Sequence, residues 1–252
     1  MLRFLGNLIV RYLTEPNATC APGMPMATAA LERTAQAGDV LLVEGRERIS
    51  GAIKYLTQST WSHAALCVGP DVETGAMQFV ETDVGHGVRL VSAAHYKAYH
   101  MRLCRPIGLN QAEVGAVCDY ARARIGDSYD VRNVIDLARY LLPTPPVPLP
   151  WRRRMIALGS GDPTKAICST LIAQAFEAVR YPVLPKVTQE ISADADCVDC
   201  VRELLHIRHF SLYTPRDFDV SPYFEIVKPT LAHGFDYKAL QWADAENAGA
   251  LA

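Results

Sequence analysis

No run of about 18 apolar residues occurs in this chain, so its sequence offers no helix able to cross a bilayer. Neither charge is in real excess: 25 Lys and Arg face 27 Asp and Glu, leaving a formal net charge of -2. That balance removes any whole-chain argument for nucleic acid or another polyanion as partner. The seven cysteines lack regular spacing, and an odd, scattered set does not make the disulfide framework of a small secreted scaffold. A reducing compartment is the expectation. A secretory leader is also wanting: in MLRFLGNLIVRYLTEP, Asn7 and Arg11 interrupt the apolar run, and no small-residue cleavage site follows a continuous stretch of about 7 to 15 apolar residues. The expected location is therefore cytoplasmic. Internal repeats are lacking as well.

What is there suffices for one substantial core, since half of the 252 residues are hydrophobic. Residues 1–35 read as an amphipathic helix, with Leu5, Leu8, Ile9, Tyr12 and Leu13 against Arg3, Asn7 and Arg11, followed by a Pro-, Ala- and Thr-rich linker from Thr14 to Ala30. Docking of that helix on the domain is the first reading, and peripheral contact with a membrane surface the second. Residues 36–230 form the domain proper, and residues 231–252 a polar, alanine-rich tail. A Pro-rich insertion at 143–164 contains prolines 143, 145, 146, 148 and 150, which forbid helix and favour an extended strap. Its Trp151 to Arg154 run is a solvated loop by default and a second candidate for an anionic surface.

Strands are expected at Val40 to Val43, HAALCVG, MQFVETD, GHGVRLVS and HMRLCR, and a last one at Tyr223 to Val227. Their short connections predict an antiparallel meander, because parallel neighbours need longer crossovers. Helices are expected around Ile49 to Leu56, from Gln111 until Gly126, over Val131 to Leu142, and from Cys168. The fold class is α+β, an antiparallel sheet or half-barrel packed against helices that include the Cys168 helix.

The chemistry centres on KAICSTLIAQAFEAVRYP. Leu171, Ile172, Ala175, Phe176 and Val179 share one helical face, and Cys168 begins it. A thiol at a helix start meets unpaired N–H groups and the positive end of the dipole, which favour the nucleophilic thiolate. A small buried cysteine fits the position equally well, so a base decides between the two. His63 is the candidate: it starts the strand HAALCVG after Trp61-Ser62, so its ring leaves a rigid element. If Val68 faces Ala76 in the next hairpin, His63 lies opposite Glu81, near enough for a carboxylate to orient the imidazole. CVDC, Cys197 to Cys200, with His206 and His209 misses zinc-finger spacing. Val198, Val201, Leu204 and Leu205 instead suggest an amphipathic helix there. No cofactor or metal is expected.

The order GDVLL, helix, WSHAALCVG, VET, GVRLV, IGDSYD and ICSTLIAQAF resembles the NlpC-type papain-like cysteine hydrolases in their circularly permuted form, the YiiX-like and YaeF-like branch related to lecithin retinol acyltransferase. The resemblance spans roughly Gly38 to Val227. It implies a permuted papain-like fold with Cys168 as nucleophile, His63 as general base and Glu81 as the polar third member. It also implies substrate contacts near Tyr129 and Ser169. Where the family often has an aromatic before the cysteine and a glutamate two after it, this chain has Ile167 and Thr170, which bears on substrate preference.

The resulting expectation is a cysteine hydrolase that cleaves an amide bond of a small or cell-wall-type peptide through a thioester. A lipid acyl hydrolase or acyltransferase using the same site is the alternative. A non-catalytic binding module on the same fold is the third reading. The expected partner is a small peptide or acyl-bearing substrate, and no nucleic acid.

Overall fold

A computed structural model describes residues 15, 28–83, 86–127, 168–191 and 201–228. The expected N-terminal helix, the Val131 to Leu142 helix, the Pro-rich insertion with its Trp151 to Arg154 run, Tyr129, CVDC and the 231–252 tail lie outside the described residues.

In chain order the described elements are α1 (Thr28–Thr34), β1 (Val40–Glu44), α2 (Arg48–Thr57), β2 (His63–Pro70), β3 (Met77–Asp83), β4 (Gly87–Ser92), a 3-10 turn (Ala93–Tyr96), β5 (His100–Pro106) and α3 (Gln111–Arg122). Then come α4 (Cys168–Ala178), β6 (Lys186–Ile191), β7 (Val201–His206), a second 3-10 turn (Phe210–Leu212), α5 (Pro215–Asp219) and β8 (Phe224–Val227). The expected strands and three of the expected helices are recovered within a residue or two. Within the segment 1–35, read as amphipathic helix and linker, the stretch Thr28–Thr34 is helical, and Leu31 is fully buried there. Its alanine-rich composition suits a helix once tertiary packing supplies a partner for that leucine.

Six strands form one sheet in the order β4-β3-β2-β1-β5-β8, and every pairing is antiparallel. It is not a simple meander. After β4 the chain crosses one face of the sheet through Ala93–Tyr96 and returns to pair β5 with the far side of β1. The crossing strap buries Tyr96 against Phe79, ring edge to face at 5.7 Å.

Side chains alternate across the sheet, and each face has its own core. On one face Val40, Leu42, Ala64, Leu66 and Val80 pack against α3 through Val117 and Ala121 and against α4 through Leu171, Ile172 and Phe176. On the other, Leu41, Val43, Ala65, Cys67 and Phe79 are covered by Leu31 of α1 and by Tyr96. The sheet is thus buried on both sides, which explains why β1 and β2 read as continuous apolar runs. A capping box starts α3, where Asn110 accepts from the Glu113 N–H at 3.0 Å and the Glu113 carboxylate accepts from the Asn110 N–H at 2.9 Å.

The Gly38-Asp39 opening of β1 is a structural joint. Gly38 has φ +91° and donates its N–H to the Cys67 carbonyl, a conformation that disfavours any side chain. Asp39, 1% exposed, receives both Nε and an Nη of Arg105 at 2.8 Å and the Gln36 N–H at 2.8 Å. That fork ties the start of β1 to β5.

Residues 201–206, read as part of a helix, are instead strand β7, paired with β6 from Lys186↔His206 to Ile191↔Val201. The apolar positions 201, 204 and 205 fit either period, and pairing with KVTQEI decides for strand.

Candidate active site

His63 is the first residue of β2, where Val43 pairs with it across β1. Its parity places it on the face of Ala65 and Cys67, the face covered by Tyr96. Glu81 points the same way from β3. The expected direct opposition of His63 and Glu81 is corrected: the ladder runs Ala65↔Glu81, Leu66↔Val80 and Cys67↔Phe79, with a bulge between Cys67 and Gly69. The slip is two residues, so the face is kept and the pair becomes diagonal. A glutamate reaches diagonally, and His63 Nε2 lies 2.8 Å from Glu81 Oε2.

Glu81 is 2% exposed and fully engaged. Tyr96 donates its hydroxyl to Oε2 at 2.5 Å, while Arg89 donates Nε to Oε1 at 2.9 Å and brings an Nη to 2.8 Å. Burial pushes this carboxyl up, but the hydrogen bond and charge of His63, with Tyr96 and Arg89, hold it far below the usual carboxylate range. Burial and the adjacent carboxylate in turn push the Tyr96 phenol well up, so it stays a donor.

Cys168 comes from the opposite side of the sheet, at the first described turn of α4 and 7% exposed. Its sulfur faces His63 and the backbone N–H groups of Ala64 and Ser169. Burial raises the thiol, but His63, by hydrogen bond and by charge, and those two N–H groups outweigh it and leave the thiol below its ordinary value. Burial likewise lowers His63, while hydrogen bonds to Cys168 and Glu81 raise it well above an ordinary histidine. With Nε2 held by Glu81, Nδ1 is the nitrogen that meets the thiol. The opposed shifts favour a thiolate–imidazolium pair. The other described cysteines differ: burial pushes Cys67 and Cys104 up to about 12, and Cys118 upward as well.

Ser169 sits beside the thiol, 1% exposed, and donates its hydroxyl to the Tyr213 carbonyl at 2.7 Å. It therefore ties α4 to the turn before α5, where Thr214 and Asp217 form a second capping box.

Cys168, His63, Glu81 and Ser169 all line a cavity of about 320 Å³. Val43, Ile49 and Ile53 give it an apolar wall, and Glu47, Asp83, His86, Arg89 and His95 supply charged or polar groups. His86 and His95 thus stand at the cavity as well. His95 Nε2 is 3.6 Å from Glu81 Oε1, and His86 Nδ1 is 2.6 Å from Asp83. His100 instead pairs with Glu44 and packs on Trp61.

Sequence reasoning missed Arg89 and Tyr96. Arg89 was recoverable, since Glu81↔Arg89 is a direct pair of the β3–β4 hairpin and counting across its turn would have found it. Tyr96 carried no local signal, because it reaches Glu81 only through the crossing strap.

No family model matches the chain, and neither does any curated protein. Among solved structures the chain is similar to the metalloprotein yiiX of Escherichia coli O157:H7, at 14% identity and a TM-score of 0.49, over 77% of this chain and 96% of that one. Among the described residues no group of three or more His, Cys, Asp or Glu side chains is placed to hold a metal ion. No described helix is long and apolar enough to cross a membrane.

Proposed function

We propose that this chain is a cysteine hydrolase of permuted papain-like type that cleaves an amide bond of a small substrate through a thioester. The observation that carries the reading is the continuous chain Cys168–His63–Glu81, with the thiol lowered and the imidazole raised. The His63 strand precedes the Cys168 helix in sequence, the order expected of a permuted arrangement.

In this mechanism His63 Nδ1 holds the proton of Cys168, and the thiolate attacks the carbonyl carbon. The Ala64 and Ser169 N–H groups that face the sulfur are the donors within reach of the oxyanion, a contribution of about 3 kcal/mol per donor where it has been measured. The imidazolium then gives its proton to the leaving amine as the C–N bond breaks. Water, deprotonated by the same ring, attacks the thioester; the carboxylic acid leaves and the thiol is restored. Glu81 keeps the ring oriented and stabilises its cation.

The cavity supports a small substrate. At about 320 Å³ it lies near the lower end for ligand sites, and Glu47, Glu81, Asp83 and Arg89 stand on a wall that is otherwise mostly apolar. The Val43, Ile49 and Ile53 wall keeps a lipid acyl substrate as the second reading.

Alkylation with iodoacetamide at pH 6 to 8, read by mass spectrometry of each cysteine, tests the proposal. Cys168 is expected to react at least about tenfold faster than any other cysteine at pH 6, because its thiolate persists below the ordinary thiol range of about 8.5. His63→Ala should abolish that advantage. Equal labelling of all seven cysteines would favour the binding-module reading.

A further inference from the structure

The cavity beside Cys168 holds three carboxylates among its described lining residues, Glu47, Glu81 and Asp83. Two are neutralised in place. Glu81 faces Arg89 and His63, and Asp83 faces Arg89 at 3.2 Å and His86 at 2.6 Å. Glu47 differs. Its partners are neutral: Ser50 donates its hydroxyl to Oε2 at 2.7 Å, and Tyr99 donates to Oε1 at 3.3 Å. None of the ion pairs among the described residues includes it. The neighbouring cations are turned elsewhere, Arg46 over the Tyr99 ring and onto the Ala98 carbonyl, Arg48 to Glu15 at 3.1 Å.

An ionised carboxylate offers about four acceptor positions, and two donors leave room for more. The position of this one is built. A Cβ added at Gly45 would run into Ser50 Oγ and meet Glu47 Oε2 at 2.7 Å and Ser62 Oγ at 2.8 Å, so the bare backbone at Gly45 leaves the space that the carboxylate and the two hydroxyls occupy. Gly45 donates its own N–H to Ser62 Oγ at 2.9 Å, which fixes the backbone there. Next to it, Ile49 and Ile53 extend an apolar surface along the same cavity.

We infer that Glu47 is a specificity site for a positively charged amino group on the substrate, placed so that the cation sits at Glu47 while the scissile carbonyl meets Cys168. This rests on the thiol reading above and narrows its substrate to amine-bearing acyl compounds. A partly buried charge without a counter-ion is costly to keep, and a substrate ammonium with three donors satisfies it. An anionic substrate of the same size is disfavoured.

Three methanethiosulfonate reagents of different charge test this: methyl (neutral), 2-aminoethyl (cationic) and 2-sulfonatoethyl (anionic). In each, the Cys168 thiolate displaces methanesulfinate and forms a mixed disulfide. Rates are normalised to a free thiol. The cationic reagent is expected to modify Cys168 roughly tenfold faster than the anionic one at low salt, the size of a single-charge interaction across several ångströms of a partly solvated cavity. Glu47→Gln should bring that ratio to within about twofold of unity, and Glu47→Asp should retain most of it. The neutral reagent should react with all three proteins at similar rates, which reports that the fold and the thiol are intact.

An unchanged ratio in Glu47→Gln, or a faster anionic reagent in the wild type, overturns the inference and leaves the thiol reading standing. A neutral reagent that modifies Cys168 no faster than the other cysteines overturns both. If Glu47→Gln does not fold, a wild-type ratio that stays constant between 20 mM and 500 mM salt overturns the inference instead, since a charge-driven preference is screened over that range.

Discussion

Glu81 pairs with Ala65 across the β2–β3 ladder yet bonds His63, one step further along the same face, at 2.8 Å. The diagonal reach puts Oε2 on His63 and on the Tyr96 hydroxyl, and Oε1 accepts from Arg89, the direct neighbour of Glu81 on β4. Four polar groups then share one buried cluster whose members satisfy one another.

Replacing Glu81 by Gln is expected to cost about 3 kcal/mol at pH 6, the scale for breaking a buried charge pair. The cost should depend on pH in both directions. The Glu81 carboxyl is lowered in the folded protein, so its contribution is present above the unfolded value of about 4.3 and fades as pH falls below it. His63 is raised, so its contribution is present below about 6.5 and is lost as pH rises through its folded value. Urea unfolding of wild type and Glu81→Gln should therefore show the widest gap between about pH 4.3 and 6.5. A gap that stays flat from pH 3 to pH 9 contradicts the coupled cluster.

Arg105→Met strands Asp39, which is 1% exposed at the head of β1, without a cation. Chemical denaturation should show a loss of about 3–5 kcal/mol. Arg105→Lys keeps the charge but not the two-pronged contact and should recover only part of it. A loss below about 1 kcal/mol for Arg105→Met, the level of a surface ion pair, would mean the joint is not the anchor described.

Thr82 is 3% exposed, and its hydroxyl has no hydrogen-bond partner. Valine has the same shape without the desolvated oxygen. Thr82→Val is accordingly expected to stabilise the protein by about 1 kcal/mol, a rise of about 2–4 °C in Tm, while leaving Cys168 alkylation unchanged. Calorimetry that finds Thr82→Val less stable than wild type would show that the hydroxyl has a partner after all.

The legible parts of this protein were those set by local pattern. Short apolar runs and alternation marked the strands, turn residues marked their ends, and the face of His63 and Glu81 survived a two-residue register error because side-chain direction has period two. Cys168 and His63 were singled out from residue type and setting, and the fold brings the two side chains together. The illegible parts depend on contacts made through space. Tyr96 gains its role only because the chain passes β3, β2 and β1 before β5 pairs with the far side of β1. Residues 201–206 carry an apolar pattern that suits helix and strand alike, and only their pairing with 186–191 separates the two. Leu31 sat in a segment that looked like linker, and its burial comes from a sheet face that the sequence does not display.

The layering also sets what the thiol depends on. Cys168 is carried by α4 on one face of the sheet and Tyr96 by the strap on the other, while His63 and Glu81 sit on neighbouring strands between them. The sheet alone supplies the imidazole with its carboxylate, and docking of α4 is what brings the sulfur to the ring. On the proposed reading, fast alkylation at Cys168 therefore reports a molecule whose helical layer is in place.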